Sequence, residues 1–111
     1  MTVLQLKDKL KLDAPSLPAP DREVTGGYCG DLLSWVMGRA ESGQAWVTIM
    51  SNINVVAVAS LTEVAAVIMA DGVHPDDDAH KKALEQGINI LSSPLDSFAL
   101  CSAITSALSE G

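Results

Sequence analysis

The sequence predicts an α/β chain, a single three-layer α/β/α domain around a mostly parallel sheet of four or five strands. Three observations predict it. Apolar runs rich in β-branched residues alternate with segments of helical periodicity, the pattern of a sheet covered by helices on both faces. Two of those runs, Ala45–Met50 and Val64–Met69, are short and largely apolar, as expected of strands buried on both sides. Aromatic residues make up only 4% of a chain that is 48% hydrophobic, so the core is built from Ala, Val, Leu, Ile and Met. Such small side chains let helices lie close to a sheet.

The elements follow in order. Val3–Leu12 has apolar residues at Val3, Leu4, Leu6, Leu10 and Leu12, and residues 1–12 read as an amphipathic N-terminal helix capped by Thr2. Three prolines between Asp13 and Pro20 make residues 13–22 a stiff connection without a periodic element. Residues 23–111 carry the α/β core, and the whole chain is read as one domain. Glu23–Tyr28 reads as a short strand that ends in Gly26-Gly27. Asp31–Ala40 is a helix with a broad apolar face, Asp31 serving as its cap or first-turn acid and Gly43 as its stop. Ala45–Met50 is a strand, followed by a turn or cap at Asn52 or Asn54.

Ile53–Glu63 is the ambiguous segment. Its valines favour a strand, whereas a parallel sheet needs a crossover at this point, and connectivity decides for a helix. Val64–Met69 is the clearest strand, ended by Asp71-Gly72. Asp76–Gln86 is the clearest helix, with Pro75 near its start, acids Asp76, Asp77 and Asp78 in its first turn, and Gly87 as terminator. Ile88–Leu91 is a short strand, Ser93-Pro94 a break, and Asp96–Leu108 the last helix.

Charge and cysteine usage narrow the function classes. There are 14 acidic and 7 basic residues, for a formal charge of −7. Such a surface repels nucleic acid and anionic membranes. No apolar run approaches the ~20 residues that span a bilayer. Cys29 and Cys101 lie far apart, form no C-x-x-C pair, and read as reduced, buried thiols of a cytoplasmic protein without a signal peptide. Trp35 and Trp46 are expected in the core or at a dimer contact.

The run Ala65–Pro75, the helix after it, Gly87–Pro94 and then Asp96-Ser97-Phe98 together resemble the DRTGG domain. That domain accompanies CBS domains in regulated pyrophosphatases and is similar to the N-terminal domain of HPr kinase. Val24–Ser34 looks like the stand-alone branch from anaerobic bacteria, often labelled a serine kinase of HPr and often encoded near iron hydrogenases. The resemblance implies an α/β unit that dimerises and regulates. It also implies a possible protein partner in anaerobic energy metabolism. The motif that names the family matches Ser51-Asn52 and Ala70-Asp71-Gly72 here, where only Gly72 is kept in kind.

Motifs for chemistry are sparse. A phosphate loop of the form G-x-x-x-x-G-K-[ST] is absent, which argues against a kinase. Gly26-Gly27-Tyr28-Cys29-Gly30 is a flexible turn or an anion-binding nest before a helix. His74, Asp76, Asp77, Asp78 and His80 could bind a metal, but their spacing matches no known site and suits helix capping better. A Cys29–His74 nucleophile pair is conceivable, and G-x-S-x-G is absent. The sequence therefore assigns no catalytic residue, metal or cofactor. In open α/β sheets ligands sit beyond the carboxyl ends of the strands. This makes Gly27, Tyr28, Asp31, Asn52, Asn54, Asp71, Gly72, His74 and Ser92 the candidate ligand-binding residues. The expected function is a non-catalytic regulatory or small-ligand-binding domain, for a nucleotide or other anionic metabolite, acting as a homodimer. The alternatives are a structural subunit docking onto a hydrogenase-related or other metabolic complex, and a small hydrolase or transferase using the Asp71–His80 region.

Overall fold

The structure, a computed structural model, describes residues 1–110. Gly111, included in the expected core, lies outside the described residues. The elements run α1 (Val3–Leu10), β1 (Asp13–Ser16), β2 (Gly26–Cys29), α2 (Leu33–Arg39), β3 (Gln44–Thr48), α3 (Ile53–Thr62), β4 (Ala66–Met69), α4 (Asp77–Gln86), β5 (Ile90–Ser92) and α5 (Ser97–Glu110).

Strands β2 to β5 pair in parallel, and the five-stranded sheet has the order β1-β5-β4-β3-β2. Alternate residues of the strands face two separate cores. Ala45, Val47, Ala66, Ile68 and Leu91 pack with Val3 and Leu6 of α1 and with Leu100, Ile104 and Ala107 of α5. Trp46, Val67, Met69 and Ile90 pack with Val36 of α2, with Val55, Val56 and Ala59 of α3, and with Ala79 and Ala83 of α4. This is the expected α/β/α sandwich. Burial of all four residues of β4 explains its continuous apolar composition.

All three crossovers between the parallel strands use helices on one face, so the parallel strands lie in sequence order. The reversal of strand order that opens a crevice in doubly wound sheets does not occur here.

One element differs from the sequence reading. The connection expected over residues 13–22 begins with β1, which pairs antiparallel with β5 through an irregular register between Asp13 and Ser16. Pro15 disguises it, yet proline is tolerated on an edge strand, where a missing N–H breaks no interior ladder. The Ser16 hydroxyl reinforces the pairing by donating to the Ile88 carbonyl at 2.8 Å. The rest of the connection is held by α1, whose Val3 and Leu4 N–H groups donate to the Arg22 and Pro20 carbonyls, and by Asn89. Its amide donates to the carbonyls of Ala19 at 2.7 Å and Ala65 at 2.9 Å, and its oxygen accepts from the Ala19 N–H at 2.9 Å.

In the ambiguous segment, helix prevails. Asn52 caps α3, its side-chain oxygen accepting from the Asn54 N–H at 2.9 Å, and Glu63 closes the helix in a left-handed conformation. The valines remain satisfied because Val55, Val56 and Val58 are buried against the sheet and neighbouring helices. Asp31 does not cap α2. The N-cap position is Leu32, without a side-chain bond, while the Asp31 carboxylate accepts from the Thr48 hydroxyl at 2.7 Å and the Ile49 N–H at 2.9 Å. Asp31 thus ties the loop after β2 to the end of β3.

Two substitutions test these roles. Asn52→Ala is expected to lower the unfolding free energy by about 1 kcal/mol in urea titrations, and Asn52→Asp to leave it nearly unchanged, because Asp caps as well as Asn. Asn89→Ala strands the polar groups of Ala19 and Ala65, and the same titration should show a loss of about 2–3 kcal/mol.

Candidate functional site

Parallel pairing brings the carboxyl ends of β2 to β5 to one edge of the sheet. Cys29 stands opposite Val47, Thr48 opposite Met69, and Met69 opposite Ser92. The four turns that follow, Tyr28–Asp31, Ser51–Asn54, Asp71–His74 and Ser92–Pro94, therefore form a rim, and four helices, α2 to α5, begin beside it.

The rim is held by its own hydrogen bonds. The Ser51 hydroxyl donates to the Asp76 carboxylate at 2.9 Å, and the Asp76 N–H donates to the Ser51 carbonyl at 3.0 Å. The turn after β3 is thereby fixed to the start of α4. Asp71 and Gly72 both have left-handed backbones, with φ of 56° and 71°. Their N–H groups donate to Leu95 and Ser93 carbonyls, each at 2.8 Å, so this turn is not an open nest for an anion. Buried Ser92 donates to the Val73 carbonyl at 2.6 Å and braces the same turn from below.

His74 leans toward β1. One ring nitrogen is 3.0 Å from the Gly72 carbonyl, and the other is 3.5 Å from the Asp13 carboxylate. His80 reaches the Pro15 carbonyl at 2.6 Å. Among the described residues, no three of His, Cys, Asp or Glu are placed to share a metal ion.

The candidate residues thus separate into groups. Asn52, Asn54, Asp71, Gly72 and His74 lie in the middle of the rim, and Asp31 lies at its end, with its carboxylate engaged by β3. Gly27 and Tyr28 belong to strand β2. The Tyr28 ring covers Gly30, where an added Cβ would come within 3.1 Å of the ring. Trp46 is fully buried and donates to the Gly30 carbonyl at 2.9 Å. Trp35 is half exposed beneath the Arg39 guanidinium, 3.9 Å from the ring centroid.

A cavity of about 170 Å³ opens away from the middle of the rim, between the edge strand β2 and α5. Gly27, Tyr28, Cys29, Cys101, Ile104 and Leu108 are among its lining residues. The cysteines are not the buried thiols expected from sequence, since Cys29 is exposed and Cys101 half-buried. Partial burial in the strand–helix contact, then the neighbouring Cys101 sulfur and the Asp31 carboxylate, push the Cys29 thiol up to about 11. A Cys29–His74 pair is ruled out by topology. Cys29 sits on one edge strand, while His74 contacts the opposite edge strand, β1. No spacing in the sequence signals the meeting of Cys29 with Cys101, because it depends on which sheet face α5 covers.

No protein-family model and no curated protein matches the sequence. Among solved structures, the fold is similar to the crystal structure of the CBS and DRTGG domains of the regulatory region of Clostridium perfringens pyrophosphatase, complexed with its activator diadenosine tetraphosphate. The TM-score is 0.69 and the identity 17%, over 89% of this chain and 44% of that one, so the chain spans less than half of that structure. At such low identity the likeness speaks to architecture, and it gives the chain a DRTGG-like α/β fold.

Proposed function

We propose that the chain is a non-catalytic, cytoplasmic regulatory domain that binds a nucleotide or related anionic metabolite at the carboxyl rim of its sheet and acts as a homodimer. The observation that carries this reading is the shared fold with a regulatory region whose activator is diadenosine tetraphosphate. The electrostatics of the rim favour one position on it. The N-termini of α2, α3 and α5 have no acid in their first turn, but Asp31 precedes α2, Asp96 precedes α5, and α4 carries Asp77 and Asp78, which leaves α3. Helix N-termini attract anions unless acids already occupy them. The ligand is therefore centred on Asn52 and Asn54, with Asp71, Gly72 and His74 to one side and Tyr28 and Asp31 to the other. Gly27 and Ser92 shape the supporting strands. The carboxylates of Asp31, Asp71 and Asp76 flank this position, so a polyphosphate is expected to approach as its magnesium complex.

The rim hydroxyls favour binding over catalysis. Ser92 is committed to a backbone carbonyl, and Ser51 donates to the Asp76 carboxylate, a weak base with no histidine beside it, since His74 and His80 are bonded to the Gly72 and Pro15 carbonyls. The pure protein is expected to transfer no phosphate from ATP to a serine substrate.

A second reading, an interaction subunit for a metabolic or hydrogenase-related complex, draws on exposed apolar side chains. Leu32, Trp35 and Met37 on and beside α2 are each more than half exposed, and Phe98 at the start of α5 is 87% exposed. These same side chains support self-association.

Two measurements test the proposal. Diadenosine tetraphosphate or ATP with Mg²⁺, at about a hundred times its Kd, should raise the melting temperature by on the order of 10 °C. Asn52→Asp should keep the unliganded melting temperature and lose most of that rise, since it preserves the cap and adds a negative charge. A flat response to all nucleotides, together with a co-purifying protein, contradicts ligand binding and favours the interaction subunit. Light scattering across a concentration series should give twice the monomer mass of 11.6 kDa, and a constant monomer mass contradicts the homodimer.

A further inference from the structure

Strand β2 is an edge of the sheet, and its odd-numbered residues point to the α5 side. Gly27 and Cys29 share that face with Ala45 and Val47 of β3. Across the cavity, α5 presents Cys101, Ile104, Thr105 and Leu108, which recur at helical spacing and so form one stripe. Gly27 has no side chain to fill the space, and the cavity beside the thiols persists at about 170 Å³. Seventy-two positions separate the cysteines in sequence, yet Cys29 and Cys101 line the same cavity, one from the edge strand and one from the helix that covers it. Both are free thiols, and Cys29 is exposed to solvent.

We propose that Cys29 and Cys101 form a dithiol site that closes reversibly to an intramolecular disulfide by exchange with a low-molecular-weight disulfide. One cysteine thiolate attacks a sulfur of the small disulfide, breaking its S–S bond and expelling one thiolate. The second cysteine then attacks the protein sulfur of the mixed disulfide and expels the other. Two protein thiols are oxidised, the small disulfide is reduced to two thiols, and the two protons pass to those leaving groups. The cavity gives the small disulfide access, and the meeting of strand and helix supplies the resolving thiol.

The product would staple the edge strand β2 to α5. Since β2 leads into Tyr28–Asp31, the staple would also fix one end of the rim. Burial, then the neighbouring Cys101 and Asp31 side chains, disfavour the Cys29 thiolate, so attack by Cys29 speeds up as the pH rises.

The test is to incubate the full chain with oxidised glutathione and then count free thiols, measure intact mass and map peptides. The expected result is loss of both thiols, a monomer lighter by two hydrogens, and a peptide linking Cys29 to Cys101. The urea midpoint should rise by on the order of 1–2 M and return on reduction with dithiothreitol. Cys29→Ser and Cys101→Ser should each stop at the glutathione adduct. Peptide mapping of the unaltered chain stands even where a variant folds poorly. Two surviving thiols, a persistent glutathione adduct on the unaltered chain, or a disulfide joining two chains would each overturn the proposal.

Discussion

The structure depends on the burial of β3 and β4 on both faces. Ala45, Trp46, Val47 and all of Ala66–Met69 are at most 2% exposed. Neither strand has a polar face to turn to water, so two helical layers must cover the sheet, and neither layer is dispensable. One layer comes from α2, α3 and α4, the crossovers that parallel pairing requires. The other comes from α1 and α5, the first and last helices of the described chain. The helix near the N-terminus and the helix at the far end are thus bound into one core, and a salt bridge between Lys9 and Glu110 joins them at the surface.

The same constraint shapes the candidate site. Each parallel strand runs into a helix, so the turns and four helix N-termini gather at one edge. Sequential strand order leaves this edge as a row of turns rather than a cleft between diverging loops. The row is stiffened by bonds that run across it. Asp31 grips the end of β3, Ser51 pairs with Asp76, Ser92 supports Val73, and His74 leans on Asp13. A shallow, pre-formed rim of this kind suits recognition of a charged metabolite better than the enclosure of a reacting bond.

Much of this was legible in the sequence because it rests on local patterns. The apolar run Val64–Met69, the acids before α4, Gly87 in its left-handed cap and the Asn52 cap are read one segment at a time. The helix Ile53–Thr62 needed one topological argument, that parallel strands require a crossover, and that outweighed its valines. What the sequence hid depends on distant contacts. Strand β1 pairs with β5 across the chain despite Pro15. Asp31 looked like a helix cap because it precedes α2, and its partners Thr48 and Ile49 emerge only when β3 lies beside β2. The cysteines looked like inert core residues, and their proximity follows from which face α5 covers. Of the rim itself, sequence order supplied the four turns but not the hydrogen bonds that occupy Asp71, Gly72 and Ser92.

Binding at the α3 end of the carboxyl rim, as proposed, is open to residue-by-residue measurement. Amide chemical shifts recorded during titration with magnesium diadenosine tetraphosphate test it most directly. The account predicts saturable shifts at Ser51–Asn54, with smaller ones at Asp71–His74 and Tyr28–Asp31, and none on α1. Shifts confined to α5 and the cavity beside β2, or no shifts at millimolar ligand, would contradict it.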